Sequence, residues 1–394
     1  MSASHATAGT LGLVLPGGGA RGAYQVGALR AIAEIAPTGA NPFPVITGAS
    51  VGAINAVALA TRARDFKASV DALGRFWKQL RTSDVYRTDL PSISLRGLHW
   101  VVSLTPLAAL GIPNPQALLD NTPLRRLLAE QLDFGAIEGA IRAGDLRAVG
   151  VTASSYDRGR AVTFFQGARE LEGWSRARRD GVPTPLTLEH VMAAAALPFV
   201  FPAQRIGREH FGDGSLRLTS PLSPAIHTGA DRILVITARD GRPDPMPANG
   251  EVRYPSIGSI GGSLLDIIFM DNVDADIERA RRIDHTLSLV PPERGGETQL
   301  RDIEVKVIEP SLDVRDIARE YASHLPWTIR MLLRRLGMWG RDWRLPSYLM
   351  FEPAYCGALM DLGYRDTMAR AGEIAHFLGA PAPASGGGGV PSAV

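Results

Sequence analysis

Residues 11–29 read LGLVLPGGGARGAYQVGAL. The apolar run Leu11–Leu15 has the length of a buried strand. Pro16 and three glycines then turn the chain. Tyr24, Val26, Leu29 and Ile32 recur at helical spacing over 22–35, and Pro37 stands beyond them as a stop. Residues 44–62 repeat the rhythm: the run PVIT, a second glycine-rich turn, and a helical pattern from Val51 to Arg62. Two successive strand–turn–helix units predict an α/β fold with a mainly parallel sheet.

Gly17, Gly19 and Gly22 also spell G-x-G-x-x-G, the dinucleotide fingerprint. That reading requires an acidic residue at the end of the second strand, to hold ribose hydroxyls. The chain has Gly48-Ala49-Ser50-Val51-Gly52 there instead. This is G-x-S-x-G, the nucleophile elbow, in which glycines permit a tight turn that exposes a serine at the carboxyl edge of the sheet. With 42 glycines in the chain, the spelling alone also fits a helix N-terminus capped by Ser50. Its position between a strand and a helix is what an elbow needs. The first glycine loop then has a use: Gly17, Gly18 and Gly19 could aim backbone N–H groups at the oxyanion that forms during acyl transfer. Arg21 places a cation beside this loop, either to orient it or simply as a solvated or ion-paired side chain.

A serine nucleophile needs a base. The eight histidines are His5, His99, His190, His210, His227, His285, His324 and His376. In an α/β-hydrolase order His227 or His285 could complete a triad, but that fold places its elbow after several strands, not one or two. A carboxylate in a dry site is the other option, since burial strengthens it as a base. Asp213-Gly214 follows a segment with little charge. Asp180-Gly181, after RARR in what reads as a solvated loop, and Asp240-Gly241, trailing into a Pro-rich loop, read as turns.

The pieces G-G-G-A-R-G at 17–22, G-A-S-V-G at 48–52, A-L-P-F-V-F-P at 196–202 and D-G-S at 213–215, in this order, resemble the bacterial patatin-like phospholipases over about residues 10–240. The resemblance implies a three-layer α/β/α fold, lipid acyl hydrolysis by a Ser–Asp dyad, and no metal or cofactor. Carried onto this chain, Ser50 is the nucleophile, Asp213 the base, and Gly17, Gly18 and Gly19 the oxyanion loop. Arg21, Gly22, Gly48, Gly52 and Gly214 support these motifs. Ser215 departs from the Gly or Ala frequent in the family. The expected substrate is a phospholipid or other acyl-ester lipid. The rivals are a non-catalytic lipid- or nucleotide-binding regulator and a carboxylesterase acting on soluble esters.

The rest of the chain sets bounds. Of its 394 residues 45% are apolar, enough for a sizeable core, and the net charge of +2 gives no nucleic-acid footprint. Cys356 is the single cysteine, so no intramolecular disulfide is expected and the thiol reads as buried. No apolar run approaches the ~20 residues that span a bilayer, and MSASHATAGT lacks the basic cluster of a secretory signal. A cytoplasmic protein with peripheral contact at the inner membrane surface is expected. That contact is assigned to WTIRMLLRRLGMWGRDW at 327–343, where tryptophans and arginines recur at helical spacing. Leu98–Leu110 is an apolar patch suited to covering the site, lining an acyl channel, or joining the core. Ser259–Ile283 reads as one long amphipathic helix. The expected organisation is a catalytic domain over 10–310, a helical C-terminal extension over 311–380 packed on it, and a flexible Gly/Pro-rich tail over 381–394.

Overall fold

A computed structural model of the chain describes residues 9–36, 39–103, 116–239, 254, 257–291, 298, 300–335, 337–340 and 343–379. Pro37, Asp240, the 104–110 part of the apolar patch and the 381–394 tail lie outside the described residues.

Among those residues ten strands form one sheet: β1 (Leu11–Leu15), β2 (Val45–Ala49), β3 (Ala148–Ser155), β4 (Arg160–Gly167), β5 (Trp174–Arg176), β6 (Arg179–Pro183), β7 (Gln204–Ile206), β8 (Glu209–Asp213), β9 (Arg232–Ile236) and β10 (Glu304–Ile308). The path runs β10-β9-β1-β2-β3-β4-β6-β5, and its first five strands are parallel. β4 and β8 both run antiparallel to β3, and β7 pairs with β8. Period-two alternation gives the sheet two buried faces. Leu13 and Leu15 of β1 with Leu234 and Ile236 of β9 pack under the helices Ala23–Ile35, Val51–Ala60 and Pro353–Met368. Val14, Ile233 and Val235 point the other way, onto the helices Ser223–His227 and Asn272–Ser288. The result is the expected three-layer α/β/α arrangement.

Three local readings need refinement. The long helix expected over 259–283 is present as one run from Ile257 to Ser288, with a π-helical turn, Ile267–Asp271, between its α-helical parts Ile257–Asp266 and Asn272–Ser288. Asp180 is not in a solvated loop. It sits in β6, gripped by Arg160 from β4 at 2.7 Å through both Nε and Nη2, and by the Ser175 hydroxyl at 2.8 Å. The RARR stretch makes the β5–β6 hairpin, so the Asp180 charge is ion-paired. The helical spacing over 327–343 holds only in its first half, because the glycines of 337–344 break it. The helix covers Trp327–Arg335, and Gly337 and Gly340 follow it with left-handed φ of 68° and 88°. Trp339 and Trp343 instead meet edge to face, 5.0 Å between centroids. Cys356 is buried, and burial pushes its thiol up to about 12. No helix among the described residues is long and apolar enough to cross a membrane.

Candidate active site

The register on β3 brings two distant segments together. β2 pairs along β3 until Ala49 faces Thr152, and one residue further on Asp213 of β8 faces Ala153. β8 therefore continues the line of β2 along the same edge of β3. Ser50, the residue after Ala49, arrives beside Asp213. One further segment ties both in place: the Ser50 N–H donates to the Ala194 carbonyl (3.1 Å) and the Asp213 N–H to the Ala196 carbonyl (2.8 Å). Ala196 opens the A-L-P-F-V-F-P stretch.

Ser50 adopts φ 52° and ψ −130° between β2 and the helix Val51–Ala60. A non-glycine residue in that region stores on the order of 1–3 kcal/mol of strain, sustained here by the packing around it. Gly48 and Gly52 make the turn sterically feasible. A Cβ on Gly48 would strike the Gly52 carbonyl, and one on Gly52 the Leu15 carbonyl at the end of β1. Gly22 lies against the Val51 side chain, and Gly214 against the Thr152 carbonyl.

Asp213 is fully buried. Its Oδ1 accepts the Ser215 N–H at 2.9 Å, while Oδ2 has no hydrogen-bond partner among the described residues. Burial raises the carboxyl pKa from 3.8 to about 6, opposed by the Ser50 hydroxyl and by the N–H and hydroxyl of Ser215. The Ser50 hydroxyl thus favours the ionised form of the carboxyl group. The departure at Ser215 adds a hydroxyl beside the carboxyl group.

Gly17, Gly18 and Gly19 follow β1. Among the described residues no acceptor is seen for the N–H groups of Gly17 or Gly18. Gly17 is packed between Phe269, carried by the π-helical turn, and Ser215. Gly19, at φ 55°, fits under the Tyr348 carbonyl and borders the same cavity as Ser50. Arg21 is buried, which excludes the solvated reading. Its Nε donates to Ser347 Oγ (2.9 Å) and its Nη1 to the Tyr348 hydroxyl (3.1 Å), and its guanidinium lies 3.8 Å from the centroid of the Tyr348 ring. Asp266 holds the group together, accepting from the Tyr348 hydroxyl at 2.7 Å and pairing with Arg21 at 3.4 Å and Arg344 at 2.9 Å.

Ser50 opens onto an apolar cavity of about 620 Å³, walled by Ile54, Trp77, Leu80, Val85, Leu124 and Phe351 among others. No described residue of the Leu98–Leu110 patch lines it. The wall residues Phe269, Tyr348 and Phe351 lie far down the chain and carry no motif. His227 stacks on Trp174 (4.8 Å) and His285 lies on Asn272–Ser288; neither lines the Ser50 cavity.

A family model described as patatin-like phospholipase matches residues 13–226. No curated protein sequence matches. Among solved structures, VipD from Legionella pneumophila aligns at 11% identity and TM-score 0.36, over 94% of this chain and 67% of that one. Human GIVD cytosolic phospholipase A2, in complex with methyl γ-linolenyl fluorophosphonate, aligns at 14% identity and TM-score 0.41, over 94% of this chain and 58% of that one.

Proposed function

The chain belongs to the patatin-like phospholipase family, a family of lipid acyl hydrolases, and from that premise we propose that it cleaves fatty-acyl esters through an acyl-enzyme on Ser50, with Asp213 as the base. The observation that carries this reading is the β3 register, which brings the segments of residues 50 and 213 together, with Ser50 lining an apolar cavity. The acyl chain enters that cavity. The Asp213 carboxylate takes the Ser50 proton as the oxygen attacks the ester carbonyl, and then returns it to the departing alcohol. Asp213 next deprotonates a water, which releases the fatty acid and frees Ser50. N–H groups of Gly17, Gly18 and Gly19 receive the oxyanion in both steps, each such donor contributing about 3 kcal/mol in comparable sites. A pKa near 6 keeps Asp213 ionised at neutral pH yet basic enough to accept a proton. The apolar lining of the cavity favours a phospholipase A or lysophospholipase over an esterase for short soluble esters. The helix Trp327–Arg335, with Trp327 exposed, is where this reading puts contact with a lipid surface.

The test uses Ser50→Ala and Asp213→Asn, with circular dichroism to show that both fold. Each is expected to lose at least about a thousandfold in kcat on long-chain p-nitrophenyl esters and on phospholipid micelles. A fluorophosphonate probe should label the wild type at Ser50 and leave Ser50→Ala unlabelled. Near wild-type turnover by Asp213→Asn would rule out the dyad. An unlabelled wild type would point to a binding protein without turnover.

A further inference from the structure

We propose that an arginine-walled groove, on the face of the sheet opposite the Ser50 cavity, binds a phosphate-bearing anion. The groove encloses about 1320 Å³ and opens to solvent. Its floor is apolar, formed by Leu222, Ala280 and Ile303 of the second core cluster. Its walls carry Arg176 and Arg179 from the β5–β6 hairpin, Arg279 from Asn272–Ser288, and Arg301 from the approach to β10.

Two of these cations are already matched. Arg279 Nη1 lies 2.6 Å from Asp276 Oδ1, and Arg301 Nη1 lies 2.9 Å from Asp231 Oδ1. The carboxylates of the groove are themselves committed. Asp276 Oδ2 accepts the Leu222 N–H at 3.0 Å, and Asp284 Oδ1 accepts the Ile303 N–H at 3.1 Å with Asp302 beside it. Arg176 and Arg179 have no carboxylate within ion-pair distance among the described residues. Arg176 Nη1 donates to the neighbouring Ser175 carbonyl (3.0 Å), and Arg179 Nε is buried with no hydrogen-bond partner.

The crowding of like charge shows in the titrating groups. Burial lowers the Arg179 pKa, and Arg279 and Arg176 push it the same way against the pull of Asp276. Burial also lowers the His227 pKa, with Arg176, Arg179 and Arg301 adding to the effect, while its ring lies flat on Trp174 at 19°. Two cations left without an ion-pair partner beside two others cost free energy that a bound anion recovers. The ligand class follows from the donors: planar guanidinium forks pair bidentately with phosphate oxygens, and a phosphate offers enough oxygens to engage two forks at once. The phosphate could be carried by a dissolved molecule or by a lipid headgroup; the recognition chemistry is the same.

Two arms separate those sources. Calorimetric titration with sodium pyrophosphate at constant ionic strength probes the dissolved form. Co-sedimentation with phosphatidylcholine vesicles, with and without phosphatidic acid, probes the headgroup. The wild type should bind saturably in at least one arm. Arg176→Ala, an exposed position whose loss leaves the fold intact, should weaken that binding on the order of tenfold, and Arg176→Ala/Arg179→Gln should abolish it. Ester hydrolysis should be unchanged in both variants, since neither residue lines the Ser50 cavity. No saturable binding in either arm, or binding undiminished in Arg176→Ala, overturns the proposal, whatever the fate of the Ser50 reading.

Discussion

At the scale of single residues, the Asp213 carboxyl is a charge that the folded chain holds at a cost. Its pKa is 3.8 in the ordinary state and about 6 when folded, so the folded protein binds this proton more tightly than the unfolded one. The stability it contributes is complete below pH 3.8 and is lost as pH rises through 6. The shift corresponds to about 3 kcal/mol. Asp213→Asn does not titrate, so at pH 8 it should be more stable than the wild type by up to about 3 kcal/mol, and the gap should close near pH 4. Urea unfolding at the two pH values measures this; a gap independent of pH would show that the carboxyl group is not strained by burial. The wild-type kcat/KM should rise along an acid limb near pH 6 for the same reason. Ser50 and Asp213 could be singled out in the sequence because short glycine motifs surround them. Their juxtaposition could not, because it depends on β2 and β8 each pairing with β3 in a register that lines up their ends, and such long-range pairings leave no local pattern.

At the scale of elements, three helices and two strand ends share one buried polar chain. Trp77 Nε1 donates to Asn55 Oδ1 (2.9 Å), Asn55 Nδ2 to Gln25 Oε1 (2.9 Å), and Gln25 Nε2 to the Pro16 carbonyl (2.9 Å) and the Ile236 carbonyl (3.2 Å). The chain runs from the wall of the Ser50 cavity to the residue just before Gly17. Asn55→Leu leaves the Trp77 N–H and the Gln25 carbonyl oxygen buried without partners, at about 1–3 kcal/mol each. Destabilisation of about 2–5 kcal/mol is expected in urea. The double variant with Trp77→Phe should lose less than the sum of the two single changes, because one orphaned group is gone; strict additivity would mean that the bond contributes nothing. Helices and strands of strong periodicity, such as β1, Ala23–Ile35 and Val51–Ala60, are legible in the sequence within a few residues of their ends. The three-residue strands β5 and β7 are not, since so short a run carries no period. The π-helical turn was also hidden: its residues continue the amphipathic pattern, and only its packing against Gly17 and Tyr348 distinguishes it.

At the scale of the whole molecule, the segments beyond the family match complete the site. Residues after 226 supply β9 and β10, Phe269, and the Tyr348–Phe351 wall of the cavity. What holds them in register is a close crossing of two helices. Ala23–Ile35, which leaves the glycine loop, meets Pro353–Met368 at Gly27 and Gly363. A Cβ on Gly27 would strike the Met360 carbonyl, and one on Gly363 the Tyr24 carbonyl, so each backbone lies directly on the other. The Tyr24 hydroxyl donates to Asp366 Oδ2 at 3.0 Å and pins the crossing. Gly363→Leu must push the helices apart, and with them the segment that covers Gly19 and Arg21. A loss of about 3 kcal/mol or more is expected from overpacking against backbone, together with a fall in kcat if the Gly17–Gly19 loop has the role proposed for it, because that loop loses its support. Gly357→Ala in the same helix meets nothing within 4 Å and should stabilise by about 1 kcal/mol through helix propensity alone. Thermal unfolding and ester turnover of the two variants, measured side by side, separate a crossing that organises the site from one that merely fills space: equal turnover in both, despite the lost stability of Gly363→Leu, would leave the C-terminal helix with a purely structural part.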